Sequence, residues 1–249
     1  MKDKLSIPDP LISLKEFTAA RIAIGRVGNS IPLKQSMEFK LAHAHARDAV
    51  YSTLDVDGLI NKLKVFELPV LHVYSLATSR QKYLKRPDLG RLLSDESKEL
   101  LTGFTINPDV AIIIVDGLSA TAVNENAPGL LKILIPLLTA AKISMAPLCL
   151  VEQGRVAIGD DIAFGLNAKL SLLLIGERPG LSSADSMGAY LTYNPQPGLT
   201  DESRNCISNI RKEGLKYKSA TEKIFYLINE SFKRKLSGVA LKDNAGLLG

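Results

Sequence analysis

Glu177, Arg178 and Pro179 follow directly on an apolar run, LSLLLIG (residues 170–176), and Ser182, Ser183 and Asp185 come soon after in GERPGLSSADSMGAY. A turn between two elements needs only a few residues. A longer polar loop off a core strand is where binding groups collect. A carboxylate there accepts hydrogen bonds from a polar ligand, and the hydroxyls can cap a short turn of helix. Two further segments carry similar chemistry. In DVAIIIVDGLSA, Asp116 and Gly117 end a second apolar run. That glycine allows a ligand close to the backbone, and the helix start behind it offers free N–H groups. In DESRNCISNIR (residues 201–211), Cys206 sits among charged and amide side chains, and the segment can fold back over the same edge. Each group also has a plain reading. Glu177 and Arg178 can form a surface ion pair, Asp116 can cap a helix, and Cys206 can be a small core residue.

Other chemistries find little support. There is no G-x-x-x-x-G-K-[ST], and no G-x-G-x-x-G follows a strand. GRVGNS is glycine-rich but follows helical sequence, so it reads as a helix stop. His43 and His45 are two apart on a helix and diverge, and His72 lies within a strand, so a three-histidine metal site is not expected. The two cysteines, Cys149 and Cys206, have no metal or disulfide spacing, and a reducing cytoplasm is expected. No thiolate-stabilising group neighbours Cys206 in sequence, and it is assigned no nucleophilic role. No Ser-His-Asp or paired-carboxylate set can be assembled.

The elements that must position these groups follow from periodicity. LPVLHVYSLA (residues 68–77), DVAIIIVDG (109–117), ISMAPLCLV (143–151) and LSLLLIG read as strands, the second as one buried on both faces. Between them, QKYLKRPDLGRLL is helical up to an interruption at Pro87. LSATAV, APGLLKILIPLLTAAK and GDDIAFGLNAK (159–169) are helical. This alternation predicts an α/β fold, a mostly parallel sheet with flanking helices. AYLTYNP adds an expected edge strand. SATEKIFYLINESFKRKLSG closes the chain as an amphipathic helix stopped at Gly238. Residues 1–65 carry no convincing strand. Residues 14–24 read as a helix, and Ser36 is expected to cap MEFKLAHAHARDAVYSTL, with Met37, Leu41 and Ala44 on one face. A small helical N-terminal domain, 1–65, is therefore expected ahead of a second domain, 66–249. Ligands of such sheets bind beyond the carboxyl ends of the strands.

Composition bounds the partners. The 249 residues are 46% hydrophobic, enough for a proper core, and 31 Lys and Arg against 26 Asp and Glu leave a formal charge of +5. Residues 211–235 hold eight Lys or Arg against three Glu; a solvated helix face explains them first and an anionic partner second. Without a stacking-rich motif this charge does not indicate nucleic acid. The run 130–151 is interrupted by Lys132, Pro136, Lys142 and Pro147, so no membrane span is expected, and MKDKLSIPDPLISL lacks the apolar core of a signal peptide.

GERPGLSSADSMGAYLTYNP followed by TDESRNCISNIRKEGL is similar to the C-terminal half of the ethanolamine ammonia-lyase small (light) subunit family. ARIAIGRVGNSIP, LAHAHARDAV, YLKRPDLGRLL, IIIVDGLSATAV, GRVAIGDDIA and LSGVALKD resemble further segments in the family's order, over nearly the whole chain. The resemblance implies an adenosylcobalamin-dependent carbon–nitrogen lyase that converts ethanolamine to acetaldehyde and ammonia by a radical mechanism. It implies a large catalytic barrel subunit as partner, six copies of each subunit, and residence in a bacterial microcompartment. It implies a Rossmann-like domain that contacts cobalamin through the positions matching Val156 (GRVAIG), Glu177 (GERPG) and Cys206 (RNCISN). The resemblance places the expected substrate site on the large subunit, and no catalytic residue is expected on this chain. No D-x-H-x-x-G is present, so the cofactor is expected base-on. A stand-alone nucleotide-dependent enzyme on the same kind of sheet is the alternative, and a non-catalytic partner-binding module using the basic C-terminal helix is a third reading.

Overall fold

A computed structural model describes residues 9–18, 20–104 and 107–242. Its centre is one six-stranded sheet: β1 (Val70–Tyr74), β2 (Val110–Val115), β3 (Leu148–Glu152), β4 (Leu170–Gly176), β5 (Met187–Tyr193) and β6 (Arg204–Ile210). The order is β1-β3-β2-β4-β5-β6. The first four pair in parallel, whereas β4–β5 and β5–β6 are antiparallel. The apolar runs VAIIIV and LSLLLIG are buried along their whole length, because helices cover both faces. One face packs against α2 (Val56–Leu63), α5 (Ala120–Ala140) and α7 (Tyr217–Arg234), through residues such as Leu59, Leu130 and Ile224. The other packs against α4 (Asp95–Thr102) and α6 (Ile158–Gly165) through Leu101, Ile158 and Ile162. The fold is thus α/β and mostly parallel, as the alternation of elements predicts.

Several local expectations are corrected. The helix expected over 14–24 is a single 3-10 turn at Ile12–Glu16, and residues 20–24 are irregular, with Ala23 at φ 49 (Ala19 lies outside the described residues). Phe17 is 83% exposed, so no apolar face is buried to hold a short helix together. The next helix, α1, spans Leu33–Val50 and starts directly after Pro32, so Ser36 lies inside it rather than capping it. Met37 and Leu41 are exposed, and only Ala49 of α1 is buried. β5 is an interior strand, since it pairs on both sides; the edge is β6, formed by the polar segment RNCISNI. The C-terminal helix stops at Lys235, itself left-handed at φ 57, before Gly238 is reached.

The two crossovers out of adjacent strands leave on opposite sides. The β2 to β3 connection runs through α5 on one face, and β3 to β4 through α6 on the other. Where neighbouring strands diverge in this way, a crevice opens outside their carboxyl ends. The crevice lies between β2 and β3, with β4 beside it.

Candidate functional site

Loops after β2, β3 and β4 enclose a cavity of about 380 Å³ at this crevice, walled by Leu118, Arg155, Val156, Glu177, Tyr83 and Tyr190. The β2 and β4 loops cross in direct backbone contact. Leu118 N donates to Gly176 O at 2.9 Å. A Cβ on Gly117, which has φ +57, would lie 2.2 Å from Gly176 O. One on Gly176 would lie 2.0 Å from Ser119 O. Glycine is therefore required on both sides of the crossing.

Glu177 is not paired with Arg178. Its carboxylate accepts from Ser186 Oγ, from Ser208 Oγ at 2.6 Å and from Asn209 N at 3.3 Å. Its own N–H donates to Ser186 O at 2.9 Å. The β4 end is thus tied to the start of β5 and to the end of β6. No turn of helix forms between them: Gly180 and Ser183 exchange a tight pair of backbone bonds, and Asp185 accepts from Arg211 Nη1 at 3.3 Å. Arg21 Nη2 reaches this turn from the N-terminal segment, donating to Leu181 O at 3.0 Å.

Asp116 is neither a helix cap nor a cavity wall. Its carboxylate is buried beneath the β3 loop and accepts from Gln153 N at 2.9 Å and Gly154 N at 3.1 Å. Arg80 Nη1 stands 3.7 Å away. Burial pushes the acid up to about 6, against those backbone N–H groups and the Arg80 charge. The cap of α5 is Ser119, which accepts from Ala122 N at 3.3 Å and donates to Ala184 O at 2.8 Å. Asp116 therefore shapes the loop that presents Arg155 and Val156.

Val156 is half-buried in that loop and lines the cavity. It also borders a second cavity of about 510 Å³ between the β3 loop and residues 198–201. Cys206 stands apart from Val156 and Glu177. It lies on β6 opposite Tyr190, and its side chain is exposed at the sheet edge. Partial burial of the thiol, with some help from the Glu177 charge, pushes it above the ordinary range, and a hydrogen bond from Tyr190 opposes that. A thiol so placed stays protonated at neutral pH and offers contact, not nucleophilicity. Tyr190 bridges the two places, since it lines the cavity and pairs with Cys206.

Three site residues have no sequence signal of their own type. Tyr83 is fully buried, its hydroxyl donating to Gly154 O at 3.2 Å. Two guanidinium groups lie over its ring, Arg80 at 4.7 Å and Arg155 at 4.1 Å from the centroid. Tyr190 enters from β5. Arg155 is adjacent to Val156 in GRVAIG, which is the one hint the sequence contained. The histidines stay away from the cavity: His43 and His45 are on α1, and His72 bonds Glu152 at 2.8 Å and Tyr74 at 3.2 Å on the β1 side. Among the described residues no three His, Cys, Asp or Glu side chains are placed to hold a metal ion, and no helix is long and apolar enough to cross a membrane.

The chain matches the model of the family described as ethanolamine ammonia-lyase light chain (EutC) over residues 8–242. It is 49% identical over 247 residues to the ethanolamine ammonia-lyase small subunit of Pseudomonas fluorescens (strain SBW25), covering 97% of this chain and 89% of that one. It is 50% identical over 241 residues to the small subunit of Xanthomonas campestris pv. campestris (strain B100), covering 95% and 89%. Against that of Pseudomonas putida (strain GB-1) it is 46% identical over 250 residues, covering 98% and 92%. With the whole sheet, its rim and both helical layers inside the matched span, this chain belongs to the ethanolamine ammonia-lyase light-chain family.

Proposed function

We propose that this chain is the small subunit of an adenosylcobalamin-dependent ethanolamine ammonia-lyase, and that its rim cavity holds one edge of the cofactor against a large catalytic subunit. The observation that carries the reading is the meeting of Val156 and Glu177 in one cavity at the sheet's divergence point, with Cys206 one residue contact away through Tyr190. The donor set suits a corrinoid rimmed by amides, which both donate and accept. The Glu177 carboxylate takes three hydrogen bonds and keeps acceptor capacity for a fourth. Arg155 Nε is buried with no acceptor. The cavity of about 380 Å³ is far smaller than a corrinoid. A partner surface must therefore cover the rest, which agrees with the relatives' designation as small subunits.

When bound, adenosylcobalamin supplies radical hydrogen abstraction, which turns ethanolamine into acetaldehyde and ammonia. This chain's residues bind and orient. Glu177 accepts from amide N–H groups, Val156 gives apolar shape, and Cys206 gives a neutral contact at the sheet edge. In the same reading, 66–249 is a Rossmann-like cobalamin-contacting domain, and α2 of the segment ahead of it docks on the sheet. Six copies of each subunit assemble, the cofactor stays base-on, and the complex sits in the cytoplasm inside a bacterial microcompartment. The test is acetaldehyde release from ethanolamine with adenosylcobalamin, by this chain with and without a co-expressed large subunit. Activity confined to the pair supports the reading. An inactive pair that is assembled and cobalamin-loaded rejects it.

A further inference from the structure

The two cavities at the rim share Arg155 and Val156 in their walls, so they adjoin on either side of the β3 loop. Arg155 is held rather than free. Its guanidinium lies on the Tyr83 ring at 4.1 Å, Nη2 donates to Tyr83 O at 3.2 Å, and its backbone N–H donates to Gly90 O at 2.7 Å. The loop beneath it is pinned by Asp116 through Gln153 N and Gly154 N. Yet among the described residues no carboxylate forms an ion pair with Arg155, unlike Arg80, Arg204 and Arg211. Its Nε has no acceptor.

The acids around the second cavity are already engaged. Asp161 accepts from Leu93 N at 3.3 Å, and Asp201 accepts from Arg204 at 3.0 Å. Arg91 faces the same space and is exposed. A pre-oriented, unpaired guanidinium beside a second cation recognises a tetrahedral oxyanion by its fork geometry.

We propose that Arg155, assisted by Arg91 across the second cavity, binds a phosphate ester. On the reading given above, on which this inference rests, that group is the phosphodiester of the cobalamin nucleotide loop, the one anion the cofactor carries. A corrinoid edge in the first cavity then leaves its nucleotide loop to the second. Inorganic phosphate has the same chemistry and is the other source of such a group.

The test is a binding cycle on the assembled complex with its large subunit. Dissociation constants are measured by absorbance for cobalamin and for cobinamide, which lacks the nucleotide loop and its phosphate. Arg155→Gln is expected to weaken cobalamin about 10- to 100-fold more than it weakens cobinamide. Arg91→Gln, at an exposed position that does not pack on Tyr83, is expected to weaken cobalamin alone and by less. Arg155→Lys, which keeps the charge but loses the fork, is expected to fall between wild type and Arg155→Gln.

Equal losses for both ligands, or none, in both glutamine variants overturn the assignment. Wild-type complex that binds neither corrinoid rejects the cobalamin reading itself. That result is distinct from a wild type that binds while the cycle is flat. If the cycle is flat and inorganic phosphate raises the melting temperature of wild type but not of Arg155→Gln, the anion is free phosphate, and the cofactor assignment is overturned.

Discussion

Ser208 Oγ donates to Glu177 Oε1 at 2.6 Å, joining the end of β4 to the end of β6 across the intervening β5. The contact converts a strand-end carboxylate into a fixed acceptor on the cavity wall. Replacing Glu177 by alanine removes that acceptor and strands Ser208 and the Asn209 N–H. Cobalamin retention is expected to weaken by about 1–3 kcal/mol, the range for removing one partner of a polar contact. Equilibrium dialysis of the assembled complex reads it, and wild-type retention argues against Glu177 as a contact.

Asp116 makes stability depend on pH in a defined direction. Its folded-state acid is raised from 3.8 to about 6 because burial disfavours the charge. The unfolded chain therefore releases this proton more readily than the folded one. The associated stability is fully present below about pH 4 and is lost as pH rises through about 6. Relative to Asp116→Asn, wild type is expected to lose stability over that window in urea melts. A difference between the two that is flat with pH would contradict the burial argument.

Asp160 and Arg204 pair with both side chains only 3% exposed, pinning α6 to β6. Arg204→Met leaves a buried carboxylate without its partner and is expected to cost about 3–5 kcal/mol. Arg204→Met combined with Asp160→Leu removes both charges and is expected to recover much of that loss. Chemical denaturation of the two variants checks the order, and a double variant no more stable than the single one would reject it.

Gly176→Ala places a methyl 2.0 Å from Ser119 O, where the β2 and β4 loops cross. The loops must separate, and a loss of about 2–4 kcal/mol is expected. Gly198→Ala, at φ +89 but with nothing within 4 Å of the added carbon, meets only backbone strain and is expected to cost about 1 kcal/mol. Thermal melts compare the two.

His43, His45 and His72 all lie away from the cavity, on α1 and β1. Replacing all three is expected to leave the axial nitrogen on cobalt unchanged in electron paramagnetic resonance of the complex loaded with cob(II)alamin. A changed nitrogen signal would mean that one of them displaces the cofactor's own base.

The interior of this protein was legible from the chain alone. VAIIIV is apolar at every position and LSLLLIG at every position but Ser171, a pattern that burial on both faces accommodates, so the parallel strands and the polar groups just beyond their ends follow from the pattern itself. Glu177 is visible for that reason. The edge was not legible. RNCISNI has no clean alternation, and its strand state comes from pairing with β5, which no local preference encodes. That pairing brings Ser208 to Glu177 and sets Cys206 beside Tyr190 rather than in the cavity. The same holds for Tyr83 and Arg155, which are 72 positions apart in the bond between them. Hydrophobic periodicity determines which segments are buried. Contacts between distant segments have no period, and only the folded sheet decided which side chains share the rim.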